Sequence, residues 1–422
     1  MNVVKIKKNK FSNSTREELE ILDKSILIDK ILQLEAHNFQ LKSILSKTLN
    51  SSDKKSKKPE FTNRKFDFSK HHKRHIFLKF YYLGWDYHGF MEQENTIDTI
   101  EHHVFAALKK SCLIENRETS NYHRCGRTDK GVSAFSQVIS IDVRSQLDPN
   151  NQNNLDQELA YCKILNRLLP KNIRCFAWSP VLENISARFD CKRRTYKYFF
   201  PRGNLNLDLM NQGLKFMIGS HDFRNICKMD VANGVVNFNR TILEASVRSI
   251  KENLETTSGY DMCELTITSQ AFLWHQIRCI MGVILLVGCG NEKPEVIQEL
   301  LNIEHCPKKP QYNLAHEIPL NLFHCEFETN DWFIDKTELE EVIKALQEEW
   351  TFHRIKSTMI KTMLLNLPET KNTNFQSDCL LRGVESKIYT PLMKRLTCES
   401  LEEKIKHFTK KQKIEVKKET NI

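Results

Sequence analysis

One acidic residue of this chain lies in a setting that suits catalysis by a carboxylate. Asp129 stands in the run RCGRTDKGVSA, residues 124–134, between the basic residues Arg127 and Lys130. The glycines of this run permit a tight loop, and neighbouring cations favour the ionised form of a carboxyl group. Residues 137–143 then alternate between polar and apolar types, which predicts a strand. We therefore expect an ionised carboxylate on a loop at a strand end; an Asp that only makes a turn or a structural ion pair is the alternative.

A second segment combines basic and aromatic residues. It contains ARF at residues 187–189, followed by RRTYKY at residues 193–198. Alternation along a strand places Tyr196 and Tyr198 on one face and Thr195 and Lys197 on the other. Taken alone, this pattern predicts a half-buried strand with a basic outer face.

A third segment, FLWHQIR at residues 272–278, leads into an apolar helix. Leu273, Ile277 and Ile284 form the apolar stripe of this helix, and Arg278 lies off the stripe. We therefore expect Arg278 at an exposed helix edge. His275 fits a packing role at least as well as a catalytic one.

The composition is compatible with a polyanionic partner. The chain has 422 residues, with 63 Lys and Arg against 53 Asp and Glu, and a pI near 8.9. Its 13 cysteines form no C-x-x-C pair, and its start lacks the apolar core of a signal peptide, which indicates a reducing, intracellular compartment. The longest apolar stretch, Ile280 to Val287, is too short to span a bilayer, so we expect no membrane association.

The histidines and cysteines between residues 305 and 325 follow no standard zinc spacing. We therefore expect no metal site there. A metal-dependent hydrolase would need clustered histidines and carboxylates, which the sequence lacks.

The remaining periodicity predicts an α+β fold with an antiparallel or mixed central sheet and helices packed on one face. Strands are expected at residues 76–82, 195–200, 242–250 and 263–268. Ile97, Ile100, Val104 and Leu108 mark the apolar face of a helix, with Thr96 or Asp98 as its cap. A helix is expected at residues 337–349, and the charged segment 401–418 is either helical or disordered.

An extension precedes this core. Leu27, Ile31, Leu34, Asn38, Leu41 and Leu45 recur in steps of four and three, as on the seam of a short coiled coil. A helix packed on its own catalytic domain is an equally good interpretation. Residues 51–58 (SSDKKSKK) predict a linker, whose lysines could also act as a nuclear-import signal.

Residues 124–134 resemble the catalytic loop of the TruA-type tRNA pseudouridine synthases, which carry the signature R-T-D-K-G-V-x-A. The segments at 187–198 and 272–278 match two further motifs of that family in the same order, so the resemblance extends from about Phe66 to Phe327. It implies the pseudouridine synthase fold, with two similar halves that flank a basic cleft. The implied domains are 1–60 (extension and linker), 66–190 and 191–330 (the two halves of the core) and 331–422 (tail).

The resemblance also implies a reaction. Uridine becomes pseudouridine when a C–N glycosidic bond breaks, the base rotates and a C–C bond forms. No redox change occurs, so we expect no cofactor. A carboxylate must lie near the ribose, an aromatic ring must receive the flipped base, and cations must hold the RNA backbone.

On this resemblance Asp129 is the catalytic nucleophile or base. The other implied site residues bind the substrate: Tyr196, Arg278, Arg188, Arg127 and Lys130. Tyr196 stacks on the target base and could also take the C5 proton. Arg278 pairs with Asp129 and keeps it ionised, and Arg188 orders the flipped nucleotide.

Finer features resemble one eukaryotic subgroup, the tRNA pseudouridine(38/39) synthases. They are FDFS at 66–69, YLGWDYHGF at 82–90, Cys125-Gly126 before Arg127, and KPQY at 309–312. Membership implies uridines 38 and 39 of the tRNA anticodon stem-loop as targets, a homodimer, and a location in nucleus and cytoplasm. Two alternatives stay open: the sister eukaryotic subgroup, which modifies other tRNA or small nuclear RNA positions, and a catalytically silent RNA-binding protein of the same fold.

Overall fold

The computed structural model describes residues 23, 27, 28, 31, 66–148, 151, 153–250, 259–328, 331–368, 379–381 and 388–419. The chain divides into two compact units, Met1–Lys65 and Phe66–Ile422. In the first unit, the described residues Leu27, Ile28 and Ile31 are helical. The rest of the predicted coiled-coil seam and the linker at 51–58 lie outside the described residues.

The second unit is built on one mixed β-sheet. Its described strands are β1 His72–Tyr82, β2 His123–Arg124, β3 Ser133–Ser145, β4 Ile173–Pro180, β5 Arg193–Pro201, β6 Gly219–Asp222, β7 Asn239–Ile250, β8 Met262–Ser269 and β9 Leu320–Glu326. Their order is β4-β1-β3-β9-β5-β8-β7-β6, with β2 paired to β3. Only the short β3–β9 pairing is parallel; the other described pairings are antiparallel.

Seven α-helices accompany the sheet in the described part of the chain. They are α1 Ile100–Lys110, α2 Tyr161–Asn166, α3 Leu207–Lys215, α4 Gln276–Gly288, α5 Val296–Leu301, α6 Lys336–Leu365 and α7 Leu401–Glu419. Helix α2 packs on β4, and α3 packs on both α4 and β7. All residues of α4 are buried. The prediction of an α+β fold with a mixed sheet is confirmed.

Strand β9 joins the two parts of the sheet, although it comes last in the chain. It lies parallel to β3 through Ser133 and Ala134 on one side, and antiparallel to β5 on the other. The sequence pattern did not predict this strand. Its seven residues carry too short an alternation to stand out from a loop.

The predicted elements are present with shifted bounds. Strand β1 begins at His72 instead of residue 76, and α6 runs to Leu365, beyond the predicted residue 349. The predicted cap of α1 was wrong. Thr99 caps the helix by accepting a hydrogen bond from the backbone N–H of His102, and Ile97 lies before the helix with 63% of its surface exposed. The segment 401–419 is helical.

Candidate active site

The loop that carries Asp129 connects β2 to β3 and is fixed by backbone hydrogen bonds. The N–H of Gly131 donates to the carbonyl of Tyr87, and the N–H of Phe90 donates to the carbonyl of Thr128, both at 3.1 Å. Gly131 has φ = +78°, a left-handed conformation that favours glycine. A Cβ at this position would also lie 2.9 Å from Cγ of Glu317. The loop is therefore held on both sides of the carboxylate.

Buried hydroxyl and amide groups support the loop from below. The hydroxyls of Tyr82 and Thr128 share a hydrogen bond of 2.6 Å. Gln137 on β3 donates to the carbonyl of Gly126 at 3.0 Å and accepts from its N–H at 3.2 Å. Since Tyr82, Thr128 and Gln137 are all buried, these bonds are protected from competing water.

The two oxygens of Asp129 meet the segment between β8 and α4. The indole N–H of Trp274 donates to Oδ1 at 3.2 Å, and Nε2 of His275 lies 3.3 Å from Oδ2. His275 adopts φ = +57° immediately before α4 begins, a strained backbone for a residue with a Cβ. This turn brings both side chains onto the carboxylate. The structure therefore places His275 at the site, which the sequence left undecided.

Burial sets the protonation of this pair. It raises the pKa of Asp129, an effect that the charge of Arg278 opposes. Burial also lowers the pKa of His275 to about 4, and the positive charges of Arg278 and Lys228 act in the same direction. His275 is therefore neutral at neutral pH, and its contact with Asp129 is not an ion pair. The sequence predicted that Arg127 and Lys130 keep the carboxylate ionised. In the structure it is Arg278, the hydrogen bond from Trp274 and Lys228 that lower the pKa of Asp129.

Arg278 is placed differently from both sequence-based expectations. It is only 6% exposed, so the prediction of an exposed helix edge was wrong. Its Nη2 lies 3.0 Å from Oε2 of Glu317, and its Nε donates to the carbonyl of Ala315 at 2.8 Å. The direct ion pair of Arg278 is therefore with Glu317 instead of Asp129. Arg278 is buried because α4 is covered on all sides, including the side off its apolar stripe. It lines the same cleft as Asp129.

Tyr196 on β5 lies in the wall of the cleft that contains Asp129. Its ring meets Phe272 edge to face, with 5.2 Å between the ring centroids. A Cβ at Gly126 would lie 3.8 Å from its hydroxyl, so the phenol runs alongside the Asp129 loop. Burial raises the pKa of Tyr196 well above its usual value, which keeps the hydroxyl protonated.

An open cleft of about 1380 Å³ contains Asp129 and Tyr196 together with a group of cations. The cations on its lining are Arg117, Arg124, Arg127, Lys130, Arg188, Arg194 and Arg278; the carboxylates are Glu118, Asp129, Asp230 and Glu317. The cations exceed the carboxylates by three, so the cleft carries a positive charge. This volume exceeds the range of typical small-molecule pockets.

Three of the cations are available for an anionic ligand. Arg127, Lys130 and Arg188 are exposed, and no carboxylate of a described residue pairs with them. Partial desolvation lowers the pKa of Arg127, although its side chain is exposed, and the guanidinium groups of Arg124 and Arg188 lower it further. Arg124 pairs with Glu101, but Arg127 and Arg188 crowd together without such a partner among the described residues, and this favours a polyanion.

Comparison with known proteins places this architecture in a family. Residues 214–328 match the family model for tRNA pseudouridine synthases. The chain is 48% identical to the tRNA pseudouridine(38/39) synthase of Bos taurus over 83% of this chain and 80% of that protein. The proteins of that name from Homo sapiens and Mus musculus are 44% and 43% identical, over 92% and 96% of this chain and 88% and 90% of theirs.

The chain belongs to the tRNA pseudouridine synthase family. The fold and the enzyme class inferred from the three motifs are thereby confirmed. The synthase is an isomerase that acts on tRNA, in agreement with a basic cleft around one carboxylate. None of the described helices has the length and apolarity needed to cross a membrane.

The structure adds site residues of this synthase that sequence reasoning missed. Trp274 donates to Asp129, Lys228 lies over the Trp274 ring at 4.0 Å, and Glu317 pairs with Arg278. Trp274 stood within the third motif, and its polar indole N–H beside His275 was the one available signal. Lys228 and Glu317 had none, because they lie in loops without periodicity.

Proposed function

We propose that this synthase converts uridine to pseudouridine at positions 38 and 39 of the tRNA anticodon stem-loop. The similarity to the Bos taurus protein carries the choice of positions, because that protein is named for them and is 48% identical over 80% of its length. The arrangement around Asp129 supports the chemistry independently of the name.

Asp129 acts on the ribose of the flipped uridine in this proposal. It either attacks C1′ or removes a ribose proton. Trp274 and neutral His275 contact one oxygen each, which orients the carboxylate without adding a cation to it. Because burial raises the pKa of Asp129, its ionised form is less stabilised than that of an exposed carboxylate and is correspondingly more basic.

The walls of the cleft supply the binding groups. Tyr196 receives the base by stacking, and the exposed ring of Phe189, with 71% of its surface free, offers a second stacking surface. Arg127, Lys130 and Arg188 hold the backbone phosphates. We assign Tyr196 to stacking instead of C5 proton removal, because its raised pKa leaves little phenolate at neutral pH.

Mapping of pseudouridine at single-nucleotide resolution tests this proposal. Unmodified tRNA transcripts are incubated with wild-type protein, Asp129→Asn, or the control Asp98→Asn, which changes an exposed carboxylate outside the cleft. We expect pseudouridine at 38 and 39 with wild type and control, and none with Asp129→Asn. Binding of tRNA by Asp129→Asn should persist, since it rests on phosphate contacts.

Other outcomes select the alternatives. Pseudouridine at different positions would assign the chain to the sister subgroup. Binding of tRNA without any pseudouridine would favour a silent RNA-binding protein. Near-wild-type activity of Asp129→Asn would refute the role of Asp129.

We also propose that the synthase is a homodimer in solution. Helix α6 spans 30 residues, of which only Val342 is buried among those described. Large apolar side chains along it are exposed, including Trp350 at 65% and Phe352 at 63%. Such exposure is unusual for a monomer and typical of an interface. Light scattering should give twice the chain mass for wild type and for the control Ile97→Glu, and a lower mass for Trp350→Glu; a monomeric wild type contradicts the proposal.

We propose a location in nucleus and cytoplasm. The lysines of residues 51–58 support nuclear import. The 13 cysteines form no disulfide in the described part of the chain, which suits a reducing compartment. A fluorescent fusion seen in neither compartment would refute this proposal.

A further inference from the structure

Three cysteine sulfurs come together behind the catalytic loop. Cys125 is the first residue of the Asp129 loop, Cys191 lies just before β5, and Cys325 belongs to β9. Their Sγ atoms all lie within 4.8 Å of one another. The residues are 5%, 7% and 2% exposed, so these thiols form a buried cluster, hereafter the thiol cluster.

We propose that the thiol cluster binds one zinc ion. Zinc binds thiolate sulfur at about 2.3 Å, so sulfurs that share a tetrahedral zinc lie about 3.8 Å apart. The observed separations are within 4.8 Å, and a small inward movement of the side chains brings all three onto one ion. Thiolates select soft or borderline metals over magnesium and calcium.

The surroundings favour a divalent ion. Three thiolates around Zn²⁺ leave one net negative charge. Arg194 supplies the compensating cation: it pairs in register with Cys325 across β5 and β9, and its Nε donates to the carbonyl of Cys125 at 3.2 Å. A buried charge is tolerated when it is paired in this way. A monovalent ion would leave a second negative charge without a partner.

The fourth zinc position is open to water. No fourth His, Cys, Asp or Glu joins the group among the described residues. Cys125 lines the cleft, from which a water molecule can reach the ion. Binding replaces three thiol protons, which pass to solvent, by three Zn–S bonds.

The ion would join three segments that build the active site. Cys125 is four residues from Asp129, Cys191 is three residues from Arg188, and Cys325 lies in the strand paired with that of Tyr196. The proposed zinc would therefore hold these three segments together. The sequence predicted no metal at residues 305–325 because the spacing there matches no zinc pattern. It could not have indicated the thiol cluster, whose cysteines come from three distant segments and share no spacing motif.

Metal analysis of the full chain tests the proposal. The protein is produced in zinc-containing medium, purified without a histidine tag or chelator, and analysed by mass spectrometry for metals. We expect about one zinc per chain, and less than about a tenth of that in Cys191→Ser and Cys325→Ser. Cys263→Ser, a fully buried cysteine of β8 outside the cluster, should retain the zinc.

A second measurement uses wild-type protein alone, in case the variants fail to fold. After zinc is removed by a chelator, one equivalent of Co²⁺ should produce thiolate-to-cobalt charge-transfer absorption. Folded wild-type protein that carries no stoichiometric zinc and takes up no cobalt would overturn the proposal. So would full zinc content in both cluster variants, or copper in place of zinc in the wild type.

Discussion

The ion pair behind Asp129 gives a prediction for stability and for pH dependence together. Arg278 and Glu317 lie 3.0 Å apart, with side chains 7% and 6% exposed. Removing one partner of such a buried pair leaves the other charge without it, at a cost of about 3–5 kcal/mol. We therefore expect Arg278→Met and Glu317→Gln each to lower the free energy of unfolding by about this amount.

The double variant separates the interaction energy of the pair from the effect of removing each charge alone. Since neither charge remains, Arg278→Met/Glu317→Gln should lose less than the sum of the single variants, by about 2 kcal/mol. Urea unfolding followed by tryptophan fluorescence measures all four proteins. Because the pair is buried, added salt should have little effect on the difference between the double variant and the sum of the single variants. Effects that add to within about 0.5 kcal/mol would refute the pairing.

The same variants should move the acid limb of the pH–rate profile in opposite directions. The charge of Arg278 lowers the pKa of Asp129, and the charge of Glu317 raises it. Arg278→Met should therefore shift the acid limb of the single-turnover rate to higher pH, and Glu317→Gln to lower pH. The control Arg248→Met, a cation with 73% of its side chain exposed outside the cleft, should leave it unchanged. A shift in the same direction for both site variants would contradict this electrostatic account.

Three further predictions concern single residues. Tyr196→Phe keeps the stacking ring, so tRNA affinity in a filter-binding assay should change by less than about twofold; a tenfold loss would refute the assignment of Tyr196 to stacking alone, because it would show that the hydroxyl also binds the RNA. The pKa of His275 falls from 6.5 to about 4 on folding, so its contribution to stability is complete above pH 6.5 and is lost as pH falls through 4. The loss amounts to about 3 kcal/mol of the free energy of unfolding. In urea unfolding, the drop in this free energy from pH 7 to pH 4 should be smaller for His275→Asn than for wild type. An equal drop in both proteins would contradict the lowered pKa. Gly131→Ala places a Cβ 2.9 Å from Glu317 on a backbone with φ = +78°, and should cost more than about 1 kcal/mol in the same assay; a neutral effect would show that the loop is free to relax.

The sequence was sufficient to predict site residues that lie close together in one short segment or on one clearly patterned strand. Asp129 and its two flanking cations are adjacent in the chain, and Tyr196 lies on a strand that alternates clearly. Both therefore appear in the cleft as expected. The family motifs supplied the order of the segments that meet there.

Partners that meet only through the fold could not be predicted. Glu317 reaches Arg278 from a loop 39 positions along the chain, and no periodicity links them. The burial of Arg278 depends on what covers the outer side of α4, which a helical pattern does not contain. The thiol cluster is the extreme case, because its cysteines span 200 positions, from Cys125 to Cys325.

The central position of β9 in the sheet has a consequence for folding of this enzyme during its synthesis on the ribosome. Strands β3 and β5 are made early, yet the strand that lies between them ends only at Glu326. Until then both strands have an unpaired edge, and edges of this kind invite wrong pairing. Glu317 and Cys325 are synthesised equally late. A nascent chain shorter than about residue 326 therefore has the motifs of a synthase but not its site, and the last strand completes sheet and cleft in one step.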